Sequence, residues 1–201
     1  MAAIERALFS APFQRFAALL EEARRAGPER IPEPTAFTLA TCADGQPSAR
    51  MILLKGVDEA GFVFYTNYES RKGRELLANP RAAMCFHWAP LELQVRVEGR
   101  ALPVDSAEAD VYFASRARGS QIGAWASHQS EPLTREGELE ERVADFERKF
   151  ERRSVARPPH WSGFRLSPER IEFWKGMPNR LHHRELYRRS GDGWQVEILN
   201  P

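Results

Sequence analysis

Short apolar and β-branched runs lie near both ends of the chain with helical patterns between them, and this arrangement restricts the fold more than any other feature. Three early runs, "TAFTLATC", "RMILLKG" and "GFVFYTN", are separated by the turn-forming segments "ADGQP" and "VDEAG" and predict a meander of strands. In "LELQVRVEGRAL", apolar and polar residues alternate with the period of a half-buried strand. Further strand-like runs follow residue 162, with turns predicted at Ser167-Pro168, Gly176 to Asn179 and Gly191 to Gly193.

This order of elements predicts a mainly β fold with flanking helices, of the α+β class. Strands early and late in the chain imply a closed or nearly closed barrel whose ends pair across a helical insert, with helices packed outside. The sequence contains no repeat, low-complexity segment or linker, so we expect a single domain over residues 1–201.

Helical patterns predict how the barrel is covered. A cap helix is expected over about 10–26 and a helical insert over about 106–150. The segment "SRKGRELLANP" predicts a short helix between them, and the insert ends with a surface helix that has a narrow apolar stripe. Small polar residues predict where the four earlier helices begin: Ser10, Ser70, Ser106 and Ser120.

The balance of positive and negative residues argues against polyanionic partners that are attracted by a long-range electrostatic field. The chain carries 29 Lys and Arg against 28 Asp and Glu, a formal net charge of +1. Such a balance favours neither nucleic acid nor an anionic membrane surface, so we expect any basic binding site to be local.

Two features predict a soluble cytoplasmic protein. Cys42 and Cys85 each lie in an apolar, strand-like run, as expected for reduced thiols rather than a disulfide or a metal cluster. Glu5 and Arg6 fall where the apolar part of a signal peptide would begin, and no stretch approaches the ~20 apolar residues that span a bilayer.

The segment "WKGMPNRLHHRELYRR", residues 174–189, concentrates basic side chains and allows three interpretations. On an extended strand Arg180, His182 and Arg184 would share one face and His183 the other, so the two histidines diverge and we expect no metal site. The surrounding arginines and aromatic residues leave a nucleic-acid surface open, with a solvated basic edge strand as the plainer alternative. The third interpretation is a pocket for a small anion.

A second basic cluster supports the small-anion interpretation. Arg50 and Lys55 bracket the strand "RMILLK", and Tyr65-Thr66 ends its expected hairpin partner. "SRK" then opens a helix with Arg71 and Lys72, and a basic helix N-terminus favours phosphate. Most such triplets are exposed caps, so this cluster is weak evidence by itself.

The stretch "YFASRARGSQIGAWASHQS" supplies a third group. Tyr112 and Arg116 are four residues apart on one predicted helix face, so the phenol and the guanidinium can bind the same anion. Ser120 and Gln129-Ser130 add neutral hydrogen-bonding groups. Taken singly, Tyr112 is explained by ordinary packing and Arg116 by the favourable position of a positive charge at a helix C-terminus. Taken together, the three clusters suit a phosphate or a planar heterocycle.

The order and spacing of these segments resemble one family from about Pro34 to Pro201. The matching segments are "RMILLKG", "FVFYTNYESRKGRELLANPRAAMCFHW", "LELQVRVEG", "YFASRARGSQIGAWASHQS", "WSGFRLSPERIEFWKG" and "RLHHRELY", and the family is the pyridoxamine (pyridoxine) 5'-phosphate oxidases. The resemblance implies an FMN-binding split β-barrel that is a homodimer, with flavin at the subunit interface. It also implies oxidation of pyridoxamine 5'-phosphate and pyridoxine 5'-phosphate by oxygen to pyridoxal 5'-phosphate, with release of hydrogen peroxide, in vitamin B6 metabolism.

The resemblance further implies which residues contact the flavin and the substrate. The expected FMN contacts are Arg50, Met51, Ile52, Leu53, Leu54, Lys55, Tyr65, Thr66, Arg71, Lys72, Gln94, Gln129, Ser130, Trp174 and Arg184. The expected substrate contacts are Lys55, Tyr112, Arg116, Ser120, Arg180, Leu181 and His182. Our hypothesis is that Arg180 covers the substrate ring, His182 orients its polar groups or assists proton transfer, and Arg184 stabilises charge on reduced flavin.

Two departures from the family pattern lie in the basic segment. His183 replaces the aspartate of the usual "RLHDR", and Met177 stands where a second glycine is usual. Because methionine does not easily adopt positive φ, we expect Met177 to reshape the turn before Arg180. Two alternatives stay open: a related split-barrel flavin oxidase acting on another aromatic substrate, as in phenazine-forming relatives, and a flavin- or nucleic-acid-binding module without catalysis.

Overall fold

Antiparallel strands make up most of the structure, a computed structural model that describes residues 2–201 and the side chains from residue 11 onward. The helices are α1 (Ala2–Arg25), α2 (Arg71–Ala78), α3 (Ser106–Ser115), α4 (Arg118–Ala126) and α5 (Glu138–Lys149). The strands are β1 (Ala36–Ala43), β2 (Gln46–Leu53), β3 (Gly56–Asp58), β4 (Gly61–Asn67), β5 (Arg81–Trp88), β6 (Leu93–Pro103), β7 (Trp161–Lys175), β8 (His183–Ser190) and β9 (Gly193–Ile198). Within residues 2–201, no helix combines the length and the apolar character that crossing a membrane requires.

The strands form one sheet in the order β2-β1-β5-β6-β7-β4-β3, and β8 and β9 continue from β7. The first part of β7, Trp161–Leu166, pairs with β4, and its last part, Arg170–Lys175, pairs with β8. Strand β6 pairs with both parts of β7. A late strand therefore joins early strands across the helical insert, as the sequence predicted, and the sheet splits at the middle of β7.

Strand β7 runs without interruption through Ser167-Pro168, so the turn predicted there is wrong. The register between β6 and β7 shifts between Glu98 and Gly99, opposite this proline. A Cβ atom at Gly99 would lie 2.1 Å from the Ser167 carbonyl oxygen. Because a bulge and a glycine accommodate the residue that lacks a backbone N–H, the proline bends the strand but does not end it.

The predicted meander holds for its first hairpin only. Strands β1 and β2 pair from Ala36↔Leu53 to Ala43↔Gln46. The run "RMILLKG" then bends into β3, and β3 rather than β2 is the hairpin partner of β4. The bend is held at Leu54, which is buried and whose N–H donates to the Thr35 carbonyl at 2.9 Å.

Helix α1 covers one side of the barrel core. It begins well before the predicted start at Ser10 and carries Pro12 in its interior. The fully buried ring of Phe16 lies 4.9 Å from the rings of Phe62 and Phe86. Proline favours the first turn of a helix, which explains the prediction, and Phe16, which packs on the barrel core, lies in the turn that follows Pro12.

The starts of the next helices follow local capping. The Ser70 hydroxyl caps α2 by accepting a backbone N–H of its first turn at 3.2 Å, as predicted. The cap of α3 is Asp105 rather than Ser106, because the carboxylate one position earlier accepts the free N–H at 2.7 Å. Helix α4 begins at Arg118, so Ser120 lies inside it and the predicted start there is wrong.

A second apolar cluster attaches the helical insert to β7. Its buried members are Phe113, Ile122, Val155 and Trp161. Three residues of the stripe predicted for the surface helix pack against it, partly buried: Val143, Phe146 and Phe150. The insert is thereby fixed beside the split in the sheet, where a cavity opens.

Candidate active site

A cavity of about 1100 Å³ lies between β2, β4, the N-terminus of α2 and the helical insert. The residues predicted from sequence that line it are Arg50, Met51, Ile52, Leu53, Lys55, Tyr65, Thr66, Arg71, Lys72, Tyr112, Arg116, Ser120, Gln129 and Ser130. Among the described residues, five arginines and lysines line this cavity and no aspartate or glutamate does. Such a wall attracts anions.

The N-terminus of α2 forms one part of the cavity wall. The Lys72 Nζ donates to the Ser70 hydroxyl at 3.1 Å and to the Gln129 Oε1 at 3.0 Å. The Arg71 backbone N–H donates to the Ser130 hydroxyl at 3.2 Å, so the segment after α4 closes onto this helix. Burial, together with the nearby Arg50 charge, lowers the pKa of Lys72 to about 8.

A buried glutamate, which sequence reasoning missed, lies behind this wall. The Glu75 carboxylate accepts hydrogen bonds from Arg71 Nε at 2.8 Å and Arg50 Nη2 at 3.0 Å. It also accepts from the hydroxyls of Thr41 and Ser48 at 2.5 Å and 2.7 Å. Burial alone would raise the pKa of Glu75, but these hydrogen bonds outweigh it and lower the pKa to about 2. The spacing of four residues between Arg71 and Glu75 on one helix was the available sequence signal.

The helical insert presents an arginine for which the described part of the chain provides no acidic partner. The Arg116 guanidinium lies 4.5 Å from the centre of the Trp161 ring, and its buried Nη1 has no hydrogen-bond partner among the described residues. Helix α3 ends at Ser115, so Arg116 follows the helix instead of sharing a helical face with Tyr112 as predicted. Both residues nevertheless line the same cavity. Trp161 was also missed, because its position as the first residue of β7 gives no local signal.

Stacked aromatic rings support this side of the cavity. The rings of Tyr65 and Tyr112 stack with centres 3.9 Å apart, and Trp161 lies parallel to Tyr65 at 5.5 Å. The Tyr65 hydroxyl donates to Glu108 at 3.4 Å. Burial and the Glu108 charge raise the pKa of Tyr65 to about 12, so the phenol stays protonated and remains a hydrogen-bond donor near neutral pH.

The remaining predicted residues do not line the cavity of their own chain. Within residues 50–55, Leu54 does not line the cavity, because its side chain belongs to the hydrophobic core. Gln94, Trp174 and Arg184 lie side by side on β6, β7 and β8, because Trp174 is in register with both of the others. Arg184 Nε donates to the buried Glu172 carboxylate at 2.8 Å, and this hydrogen bond raises the pKa of Arg184.

The geometry of the basic segment differs from the strand that the sequence predicted. Strand β8 begins only at His183, and a short 3-10 turn occupies Pro178–Arg180, so the prediction that Arg180 and His182 lie on one face of this strand is wrong. Positive φ falls on Asn179 and Arg180, at 57° and 62°, because the turn tightens there.

Two neighbouring side chains define this turn. Met177 has φ of −138°, an ordinary extended value, so the turn does not require positive φ at this methionine. The His182 ring lies 4.6 Å from the Trp174 ring, and its Nδ1 accepts the Met177 N–H at 3.1 Å. Leu181 is 66% exposed. The turn thus orders His182 against Trp174 and leaves Leu181 on the surface.

Comparisons with known proteins agree over nearly the whole chain. Residues 23–175 match the family described as pyridoxamine 5'-phosphate oxidase, and residues 161–201 match the pyridoxine 5'-phosphate oxidase C-terminal dimerisation region. The pyridoxine/pyridoxamine 5'-phosphate oxidase of Myxococcus xanthus is 58% identical over 191 residues, covering 94% of this chain and 91% of that protein. The protein of the same name from Rubrobacter xylanophilus is also 58% identical over 191 residues, covering 94% and 87%. The crystal structure of PhzG from Burkholderia lata in complex with tetrahydrophenazine-1-carboxylic acid has a TM-score of 0.88 and 34% identity, covering 94% of this chain and 92% of that one.

The divided sheet and the basic cavity beside it define a split barrel with an anion-binding site. The chain belongs to the pyridoxamine 5'-phosphate oxidase family. The family expected from the sequence is therefore confirmed, and so is the α+β split-barrel fold.

Proposed function

We infer that this protein is an FMN-dependent oxidase that converts pyridoxamine 5'-phosphate and pyridoxine 5'-phosphate to pyridoxal 5'-phosphate. The observation that carries this inference is the 58% identity over nearly the full chain to pyridoxine/pyridoxamine 5'-phosphate oxidases. Oxygen is the electron acceptor, hydrogen peroxide is a product, and the amine substrate also yields ammonia. The protein acts as a homodimer, in keeping with the dimerisation region matched by residues 161–201.

The cavity residues fit the phosphate of FMN. We propose that Arg50, Arg71, Lys72 and the N-terminus of α2 bind this phosphate, and that residues 51–55 with Tyr65-Thr66 contact the rest of the cofactor. Two observations support this: the cavity wall is basic, and the Arg71 Nη groups have no hydrogen-bond partner within the described residues. When bound, FMN supplies the redox chemistry, taking a hydride equivalent from the substrate and passing electrons to oxygen.

A second phosphate fits the other basic group of the cavity. We propose that Arg116, Tyr112, Ser120 and Lys55 bind the phosphate of the substrate. Support comes from the buried Arg116 Nη1, which has no protein acceptor among the described residues, and from the stack of Arg116 on Trp161. Burial lowers the pKa of Arg116 because it disfavours the charged guanidinium. A bound phosphate dianion would stabilise that charge.

The predicted site residues that do not line the cavity of their own chain complete the site of the partner subunit. We propose that Gln94, Trp174 and Arg184 contact the flavin of the partner subunit, and that Arg180 to His182 contact its substrate. This proposal is supported by their position in or beside the dimerisation region and by their absence from the cavity of their own chain. The side chain of Ile198 is apolar and 75% exposed, so it offers surface for the contact between the two subunits.

In this arrangement the chain's own residues bind, orient and stabilise. Arg180 covers the substrate ring, and His182, already held by the Met177 N–H and the Trp174 ring, orients polar groups of the substrate or moves a proton. Arg184 remains cationic beside Glu172 and stabilises negative charge that accumulates during reduction.

The test is aerobic turnover of pyridoxine 5'-phosphate by the protein with added FMN, with aldehyde product and peroxide measured together. Equal amounts of the two products are expected. A protein that gains no flavin absorbance with FMN would refute the cofactor assignment, and unchanged steady-state kinetics in Arg180→Ala would refute the role of Arg180.

The similarity to PhzG keeps another aromatic substrate as the second candidate. The presence of Tyr112, Arg116 and Ser120 in one cavity favours a phosphorylated substrate. Turnover of pyridoxine 5'-phosphate but not of unphosphorylated pyridoxine is therefore expected, and the reverse preference would support the second candidate.

We also propose that the enzyme acts in the cytoplasm. Its two cysteines, Cys42 and Cys85, are both free thiols, as is usual in a reducing compartment. Fractionation of cells that produce the protein tests this location.

A further inference from the structure

Glu75 occupies an unusual position for a carboxylate in a site that binds anions. It lies directly behind the basic wall of the cavity, is 7% exposed and does not line the cavity itself. Among the described residues, its four hydrogen-bond donors come from β1, β2 and α2, and the last two of these elements carry the proposed phosphate-binding side chains. A buried negative charge at this place either weakens phosphate binding by repulsion or strengthens it by ordering the cations.

The hydrogen-bond geometry favours ordering. Arg71 is 57% exposed along its side chain, and its contact with Glu75 through Nε is the side-chain hydrogen bond that the described residues provide for it. Because Glu75 occupies Nε alone, both Nη groups stay available to a phosphate. An exposed arginine without this contact would sample many rotamers and lose more entropy on binding.

Arg50 is held more completely. Its Nη2 contacts Glu75 and Ser48, while its Nη1 donates to the Thr41 hydroxyl at 2.6 Å and the Leu39 carbonyl at 3.2 Å. Glu75 thus links the two arginines through the two oxygens of one carboxylate, Oε1 to Arg71 and Oε2 to Arg50. The same carboxylate offsets part of the repulsion among three cations that converge on one end of the cavity.

We propose that Glu75 is a positioning residue that orients Arg50 and Arg71 for the FMN phosphate. This inference rests on the proposed FMN site. The carboxylate does not touch the cofactor; it fixes the direction of the groups that do. At metal sites, loss of an outer partner that orients the binding groups typically costs about 10- to 100-fold in affinity, and we expect an effect of similar size here.

The experiment compares two flavins that differ only in the phosphate. Dissociation constants of FMN and riboflavin are measured by flavin fluorescence titration of the apoprotein, for the original chain and for Glu75→Gln. We expect FMN affinity to fall about 10- to 100-fold in Glu75→Gln while riboflavin affinity is unchanged. Because misfolding would weaken both flavins equally, the ratio of the two constants separates positioning from a general structural role.

Two further variants complete the design. Glu69→Gln removes an exposed negative charge just before α2 without touching either arginine, so it should leave the ratio unchanged or slightly favour FMN. Glu75→Asp keeps the charge but withdraws the carboxylate by one methylene, and it should also lower the preference for FMN. This variant decides the matter if Glu75→Gln does not fold.

The outcomes are distinct. Tighter FMN binding in Glu75→Gln, equal weakening of both flavins, or an unchanged ratio in Glu75→Asp would each overturn the positioning role. Failure of the original chain to bind FMN would instead overturn the proposed function on which this inference rests.

Discussion

If Lys72 binds the FMN phosphate as proposed, its lowered pKa makes the affinity for FMN depend on pH within an accessible range. Its ammonium is buried, and burial together with the charge of Arg50 lowers its pKa from 10.5 to about 8. A phosphate dianion placed against this amine favours the charged form and raises the pKa again. FMN binding above pH 8 therefore requires uptake of a proton by Lys72, and the affinity must fall as the pH rises through 8.

The size of the effect follows from the two pKa values. If the bound state restores a pKa near 10.5, the affinity falls by up to tenfold per pH unit above 8, so the loss between pH 7 and pH 9 is about tenfold, or ~1.4 kcal/mol. The apoprotein alone shows the opposite trend. Because the unfolded chain keeps a proton that the folded chain has released, its stability rises between pH 8 and 10.5.

The assay is fluorescence titration with FMN at pH 7, 8 and 9 and constant ionic strength, with Lys72→Arg and Lys72→Met as matched variants. Arginine stays protonated throughout, so Lys72→Arg should lose the dependence over this range. Lys72→Met should bind FMN weakly at every pH and with the same flat profile. If Lys72→Arg shows the slope of the original chain, then another group titrates and the reasoning about Lys72 is wrong.

Three further perturbations test other parts of the structure. Trp161→Leu removes the ring beneath the Arg116 guanidinium, so KM for pyridoxine 5'-phosphate should rise roughly 3- to 30-fold with little change in the FMN dissociation constant; a change in FMN affinity alone would contradict the assignment. Phe16→Ala leaves a cavity where α1 meets the barrel and should lower the free energy of unfolding by about 3–5 kcal/mol, measured by urea denaturation at fixed protomer concentration. Gly99→Ala brings a methyl group against the Ser167 carbonyl and should cost about 1–3 kcal/mol in the same assay, whereas an unchanged midpoint would mean that the bulge adapts freely.

Several features could be predicted from the sequence because their causes lie within a few residues. The alternation in β6 identifies a half-buried strand, and Ser70 together with Asn79-Pro80 identifies the two ends of α2. The basic residues Arg50, Arg71 and Lys72 could likewise be grouped, since they lie on segments joined by short turns. Side-chain periodicity and capping depend on one strand or one helical turn, and both are readable without knowledge of the fold.

The sequence by itself determined the first hairpin, the alternating strand β6, the start of α2, and the clusters of cations that make an anion site. Only the tertiary structure decided that β7 continues through Pro168, that Glu75 ties two arginines together, and that Trp161 supports Arg116. It also decided that Trp174 and Arg184 lie outside the cavity of their own chain. The physical reason is the range of the forces involved: capping and alternation act between near neighbours, whereas bulges, buried ion pairs and ring stacking depend on strand register and burial set by distant segments.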